Sequence, residues 1–136
     1  MRRVAIIGTG FIGRAWAICF ARAGFEARLW DADAAAVDNA VGYIDPILDD
    51  LAEHDLLGGS AKADVLRRLV PCTTMAEALD GAFYVQESAP ERLADKIALF
   101  GEMGELAAAD AIIASSTSAL LPSAFTGECR GRERTI

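Results

Sequence analysis

The chain has 136 residues, 53% of them hydrophobic, and a formal net charge of −7. That length suits one domain over residues 1–136, and the apolar content supplies a core without disulfide staples. The acidic balance excludes nucleic acid as a partner, because phosphate-backbone binding needs a dense basic surface; Arg130, Arg132 and Arg134 are interleaved with Glu128 and Glu133 and read as a solvated loop.

Val4 to Ile7 is an unbroken apolar run, the pattern of a parallel strand covered on both faces. Glycines follow at positions 8, 10 and 13. Ile12, Ala15, Trp16, Cys19, Phe20 and Ala23 then recur at helical spacing, with Gly24 placed to close the helix. Residues 25–30 read as a second strand ending at Asp31. In the long helix that follows, Val37, Val41, Ile44, Leu48 and Leu51 step by four and three, and Gly58-Gly59 is its expected terminator. Pro46 inside it predicts a kink, or a restart with Asp45 as N-cap. Residues 66–72 read as a third strand, Thr74 as the cap of a small helix through Leu79, and 82–86 as a fourth strand. A helix is predicted over 93–108, burying Ile97, Phe100, Met103 and Leu106 or Ala107. Residues 111–114 form a fifth strand leading into Ser115-Ser116-Thr117-Ser118. Pro122–Phe125 reads as a helical turn, and Arg134-Thr135-Ile136 starts a sixth strand.

Strands alternating with helices predict an α/β fold, a doubly wound parallel sheet of Rossmann type in the order 3-2-1-4-5-6, its sixth strand incomplete. The apolar run before Gly8 is too short for a signal peptide, and no stretch reaches the length that spans a bilayer. Cys19, Cys72 and Cys129 are unclustered, which fits a reducing cytoplasm and supplies neither a disulfide framework nor a metal site.

Gly8-Thr9-Gly10-Phe11-Ile12-Gly13 matches G-x-G-x-x-G between a strand and a helix, where the dinucleotide fingerprint has to sit. Gly8 permits the tight turn, Gly10 lets the backbone approach a pyrophosphate, and Gly13 lets the helix pack close to the strand. The pyrophosphate then meets free amides and the positive end of the helix dipole. Asp31 ends the second strand 18 positions after Gly13 (31 − 13). A carboxylate there accepts from the adenosine ribose hydroxyls and repels a 2′-phosphate, which favours NAD over NADP. A flavin dinucleotide shares the fingerprint. Asp33 reads as the N-cap of the next helix. In the stretch 86–92, Ser88 and Glu91 match a capping box with Pro90 in the first turn.

The runs GTGFIGRAWA, YVQESAPERLADKIALF and ASSTSALLPSAF resemble the 3-hydroxyacyl-CoA dehydrogenase superfamily, and within it the lambda-crystallin branch of L-gulonate 3-dehydrogenase type, with carnitine dehydrogenases as near relatives. The resemblance implies an oxidoreductase that passes a hydride between NAD and a 3-hydroxy acid or 3-hydroxyacyl-CoA, as in fatty acid metabolism. It assigns Gly8, Thr9, Gly10, Phe11, Ile12, Gly13 and Asp31 to the cofactor, and Glu91 and Lys96 to its nicotinamide end. From its position alone, Lys96 reads as an exposed helix lysine. Ser118 matches the active-site serine, and Ser116 stands where the acyl-CoA enzymes carry Asn, which puts an acyl-CoA substrate in doubt.

The resemblance also implies a catalytic histidine in a His-Pro motif on the sixth strand, followed by a helical domain that completes the substrate pocket and pairs full-length chains into homodimers. Both are expected beyond Ile136, and His54 reads as a surface residue between Glu53 and Asp55. Without that base, a contribution of roughly 10²–10⁴-fold to hydride transfer is lost, so the chain alone is expected to bind NAD without turnover. The competing reading is a stand-alone NAD-binding or structural, crystallin-like module.

Overall fold

The computed structural model describes residues 1–136, and its first strand shows why the sequence opens on an unbroken apolar run. From Val4 to Ile7, β1 (Arg3–Ile7) is fully buried, with Val4 and Ile6 in one hydrophobic layer and Ala5 and Ile7 in the other. It lies at the centre of a five-stranded parallel sheet with β2 (Glu26–Trp30), β3 (Leu69–Pro71), β4 (Ala82–Glu87) and β5 (Ile112–Ser115), in the order β3-β2-β1-β4-β5. A doubly wound Rossmann-type sheet is therefore present, as expected. The sixth position is begun by one parallel bridge, Ile113 to Thr135, with Ile136 N donating to Ile113 O. Arg134, expected to open that strand, instead closes a 3₁₀ turn over Arg132–Arg134.

One layer is covered by α1 (Phe11–Arg22), α2 (Ala34–Glu53) and α3 (Lys62–Arg67), which pack Ala17, Ile44, Leu48 and Val65 against Val4, Ile6 and Leu29. The other is covered by α4 (Met75–Leu79), α5 (Leu93–Leu106) and α6 (Pro122–Phe125), which pack Met75, Phe100, Met103 and Phe125 against Ala5, Val85 and Ile113. Thr74 caps α4 through a reciprocal pair with Glu77, and Asp33 caps α2 by accepting from Ala35 N.

Four local expectations are corrected. First, α2 runs through Pro46 without restarting, and Asp45 pairs with Lys62 at 2.8 Å instead of capping. An interior proline costs about 3 kcal/mol, and burying Val37, Ile44 and Leu48 at roughly 1.5–3 kcal/mol each outweighs it. Second, α2 ends at Glu53 with His54 as its C-cap, well before Gly58. Asp55 takes a left-handed φ of 57°, Leu56 N bonds Leu51 O, and Asp55 N bonds Ala52 O, which together make a Schellman closure. Third, α3 precedes β3, so the strand expected from residue 66 starts at Leu69; Val65 is buried and draws its segment into helix. Fourth, the buried stripe of α5 is Lys96, Phe100, Met103 and Gly104, while Ile97 and Leu106 face outward.

Leaving β1, the chain winds outward to β2 and β3, then crosses back to β4 on the other side of β1. The carboxyl ends of β1 and β4 thus flank a topological switch point, where open α/β sheets bind ligands.

Candidate functional site

At the end of β1 the backbone turns through Gly8, whose φ of +96° disfavours any side chain. A Cβ on Gly8 would also sit 2.8 Å from Ala89 N and from Ser88 C, so the loop after β4 walls the turn directly. At Gly13 a Cβ would lie 1.8 Å from Gly8 O, which makes the close helix–strand approach impossible for any other residue. Nothing lies within 4 Å of the Cβ position at Gly10, which leaves that side of the turn open. No side chain caps α1, and the amides of Phe11, Ile12 and Gly13 have no intrahelical partner. The side chains of Phe11 and Ile12 are exposed; their backbone amides line the turn. Together these features form a cradle that fits a diphosphate.

Asp31, just past β2, is tied to this turn. Its Oδ2 accepts from Thr9 N at 2.6 Å and from Thr9 Oγ1 at 3.2 Å, and its Oδ1 accepts from Asp33 N at 3.0 Å. A carboxylate has about four acceptor positions, so one stays open on Oδ1 for a ribose hydroxyl. A cleft of ≈ 490 Å³ runs from Gly8 past Asp31 to Ala89, Pro90 and Leu99, large enough for a nucleoside.

The ends of β4 and β5 carry the second half of the site. Glu91 is not the third residue of a capping box, and Ser88 is not an N-cap: α5 starts later, with Arg92 as its N-cap and no side-chain cap bond. Instead, Oε1 of Glu91 accepts from the Thr117 hydroxyl and from the amides of Ser118 (3.2 Å), Ala119 (3.1 Å) and Leu120 (3.1 Å). It thereby closes the turn after β5. The Thr117 hydroxyl first, then these amides, pull the Glu91 carboxyl down to about 2. Ser118 is exposed on that turn, and its hydroxyl has no partner within the protein. Ser116, two residues earlier, accepts from Gln86 Nε2 at 2.9 Å and shares a 3.0 Å bond with Ser88.

Lys96, read from its position as exposed, is 1% exposed. Its ammonium lies 2.8 and 2.9 Å from the two oxygens of Glu87, itself 0% exposed, and 3.9 Å from Glu91 Oε2. Ala89 N and Ser115 Oγ also donate to Glu87. Breaking such a pair leaves an uncompensated charge in the core, so each partner fixes the other. Glu87 is the residue that sequence reasoning left without a role. Its signal was the spacing of Lys96, Phe100 and Met103, which puts the lysine on the apolar stripe, where it needs a buried counter-charge. His54, by contrast, is exposed at the C-cap of α2, its Nδ1 2.8 Å from Asp50 O. The structure therefore brings together the glycine turn, Thr9, Asp31, Glu91, Lys96 and Ser118, and keeps His54 apart from them.

The family model for the 3-hydroxyacyl-CoA dehydrogenase NAD-binding domain matches residues 3–136. The chain is 39% identical over 126 residues to a lambda-crystallin homolog of Rattus norvegicus, covering 91% of this chain and 40% of that protein. It is 33% identical over 141 residues to the L-carnitine dehydrogenase/betainyl-CoA thioesterase of Rhizobium meliloti, covering 97% of this chain and 26% of that one. Among solved structures, 3-hydroxybutyryl-CoA dehydrogenase from Escherichia coli superposes with a TM-score of 0.89 at 31% identity, over 98% of this chain and 28% of that one. A diketoreductase superposes with a TM-score of 0.90 at 28% identity, over 99% and 48%. The chain thus spans about 40% or less of the curated relatives cited. Fold, glycine turn and family match agree: the chain belongs to the 3-hydroxyacyl-CoA dehydrogenase family as its NAD-binding domain.

Proposed function

We propose that this chain is the cofactor-holding part of an enzyme that moves a hydride between NAD and a 3-hydroxy acid, either a free sugar acid such as L-gulonate or a 3-hydroxyacyl-CoA. The supporting observation is that the glycine turn, the Asp31 carboxylate and the Ser118 hydroxyl lie along one carboxyl edge of the sheet, spread from β2 through β1 to β5. Bound NAD supplies the ring that takes or returns the hydride. The amides of Phe11, Ile12 and Gly13 hold the diphosphate, and Asp31 holds the adenosine ribose. That leaves the nicotinamide half over the ends of β4 and β5, beside the turn closed by Glu91. Lys96 acts there from below, as a buried charge under Ala89 and Glu91. The free hydroxyl of Ser118 donates to the substrate oxygen and orients it.

Oxidising a hydroxyl also requires a base for its proton. The one histidine of the chain, His54, ends a 20-residue helix that starts at the cleft, about 30 Å away at 1.5 Å per residue. We therefore expect cofactor binding without turnover by this chain alone; full-length relatives would complete the pocket and pair as homodimers. The position of His54 also favours a second reading, a module that binds NAD and catalyses nothing. The three free cysteines suit a reducing cytoplasm, where we place the protein. The test is to mix the purified chain with NAD and either L-gulonate or a 3-hydroxyacyl-CoA while following NADH absorbance, with NADH binding measured in parallel. One-to-one binding with no NADH formed is the expected result. NADH formation from either substrate would show that the chain carries its own base.

A further inference from the structure

We propose that Glu87 is a positioning residue that sets the Ser118 turn relative to the turn holding the pyrophosphate. All four acceptor positions of its carboxylate are filled. Oε1 takes Lys96 Nζ at 2.8 Å and Ala89 N at 2.7 Å; Oε2 takes Lys96 Nζ at 2.9 Å and Ser115 Oγ at 2.5 Å. Each contact leads outward to a working part of the cleft. Ala89 N borders Gly8 so closely that no Cβ fits there, so this arm fixes the wall of the pyrophosphate turn. Ser115 Oγ accepts from Thr117 N at 3.1 Å and so sets the first amide of the turn that Glu91 closes and that carries Ser118. Lys96 clamps α5 onto both arms, with Nζ 3.5 Å from Ala89 O.

Every group facing this carboxylate can donate, and the ammonium can do nothing else. A glutamine would keep one accepting oxygen, enough for the Ala89 arm, and turn an N–H₂ group toward Lys96 and Ser115. Facing that N–H₂ group, Ser115 Oγ would have to accept where it now donates, so the Ser115 arm loses its charge-assisted bond while the pyrophosphate wall is kept. Ser115→Ala cuts the same arm from its other end without touching a charge.

The proposal rests on the placement of the nicotinamide half over the ends of β4 and β5, and the experiment separates the two. The wild-type chain, E87Q and S115A are titrated with NADH and with ADP-ribose, which shares everything but the nicotinamide ring, and each variant is melted. For wild type, NADH fluorescence is expected to change on binding; an unchanged signal alongside ADP-ribose binding would sink the placement itself before any variant is considered. For both variants, NADH affinity is expected to fall roughly five-fold, the size of one positioned hydrogen bond, while ADP-ribose affinity stays within about two-fold of wild type. S115A keeps the Lys96–Glu87 pair and is expected to fold and melt a few degrees below wild type, so it decides alone if E87Q does not fold. An equal loss for both ligands would mean that Glu87 only supports the fold, and an S115A chain that binds NADH normally would mean that the arm positions nothing; either result overturns the proposal.

Discussion

Gly13 and Glu91 carry two of the sharper constraints in this site, one steric and one electrostatic. At Gly13 even a methyl group would overlap Gly8 O, at 1.8 Å, and neither atom belongs to a flexible side chain that could yield. Gly13→Ala should therefore push α1 off β1 and abolish NADH binding in a calorimetric titration, even if the chain still folds; retained affinity would mean the close approach is not needed. At Glu91 the ionised form makes every contact to the turn over 117–120, so its carboxyl is held at about 2, below its ordinary 4.5. Because the folded value is the lower one, the turn gains its support above the ordinary value and loses it only as pH falls toward 2. Amide NMR shifts of Ser118, Ala119 and Leu120 should stay constant through pH 4.5, that ordinary midpoint. In Glu91→Gln they should already be displaced near neutral pH. A titration of these amides at the ordinary glutamate midpoint would contradict the role given to Glu91.

The elements were legible wherever local pattern and tertiary demand agreed. The strand before Gly8, the glycine-closed α1 and the Thr74 cap were all readable from spacing, because each is specified within one turn of chain. Where burial overrode local preference, the sequence misled. Pro46 allowed a helix restart that the packing of Ile44 and Leu48 overrides, and Ser88-Ala89-Pro90-Glu91 imitates a helix start while Glu91 serves a turn 26 residues away. The buried stripe of α5 was shifted because a lysine occupies an apolar position, a placement only its partner on β4 can justify. Asp55 makes the same point at a helix end: a non-glycine residue takes the left-handed place that Gly58 was expected to supply. That conformation costs roughly 1–2 kcal/mol for an ordinary residue, partly regained in the unfolded chain when glycine replaces it. Asp55→Gly should accordingly raise stability by about 0.5–1 kcal/mol in denaturant unfolding. No gain would mean that the aspartate side chain already relieves the strain.

At the scale of the whole molecule, the sheet order and the site follow from a single crossover. Because the chain reverses direction after β3, the ends of β1 and β4 part, and the cleft opens where the glycine turn projects. Alternating strands and helices made this order readable in advance, and the fingerprint marked the strand end proposed to hold the diphosphate. What could not be read was how the two halves are joined, since Glu87, Lys96 and Ser115 come from three separate elements and meet only after folding. The proposed cofactor choice rests on the other half, where Asp31 is pinned by Thr9 and Asp33 and one acceptor position of its carboxylate stays unfilled. A 2′-phosphate would meet that carboxylate as like charge. The most direct test is therefore a parallel titration of wild type and Asp31→Arg with NADH and NADPH. Wild type should bind NADH at least about ten-fold more tightly, a difference of roughly 1.4 kcal/mol, and Asp31→Arg should erase or reverse that preference. Equal affinity of the wild-type chain for both coenzymes would contradict the account.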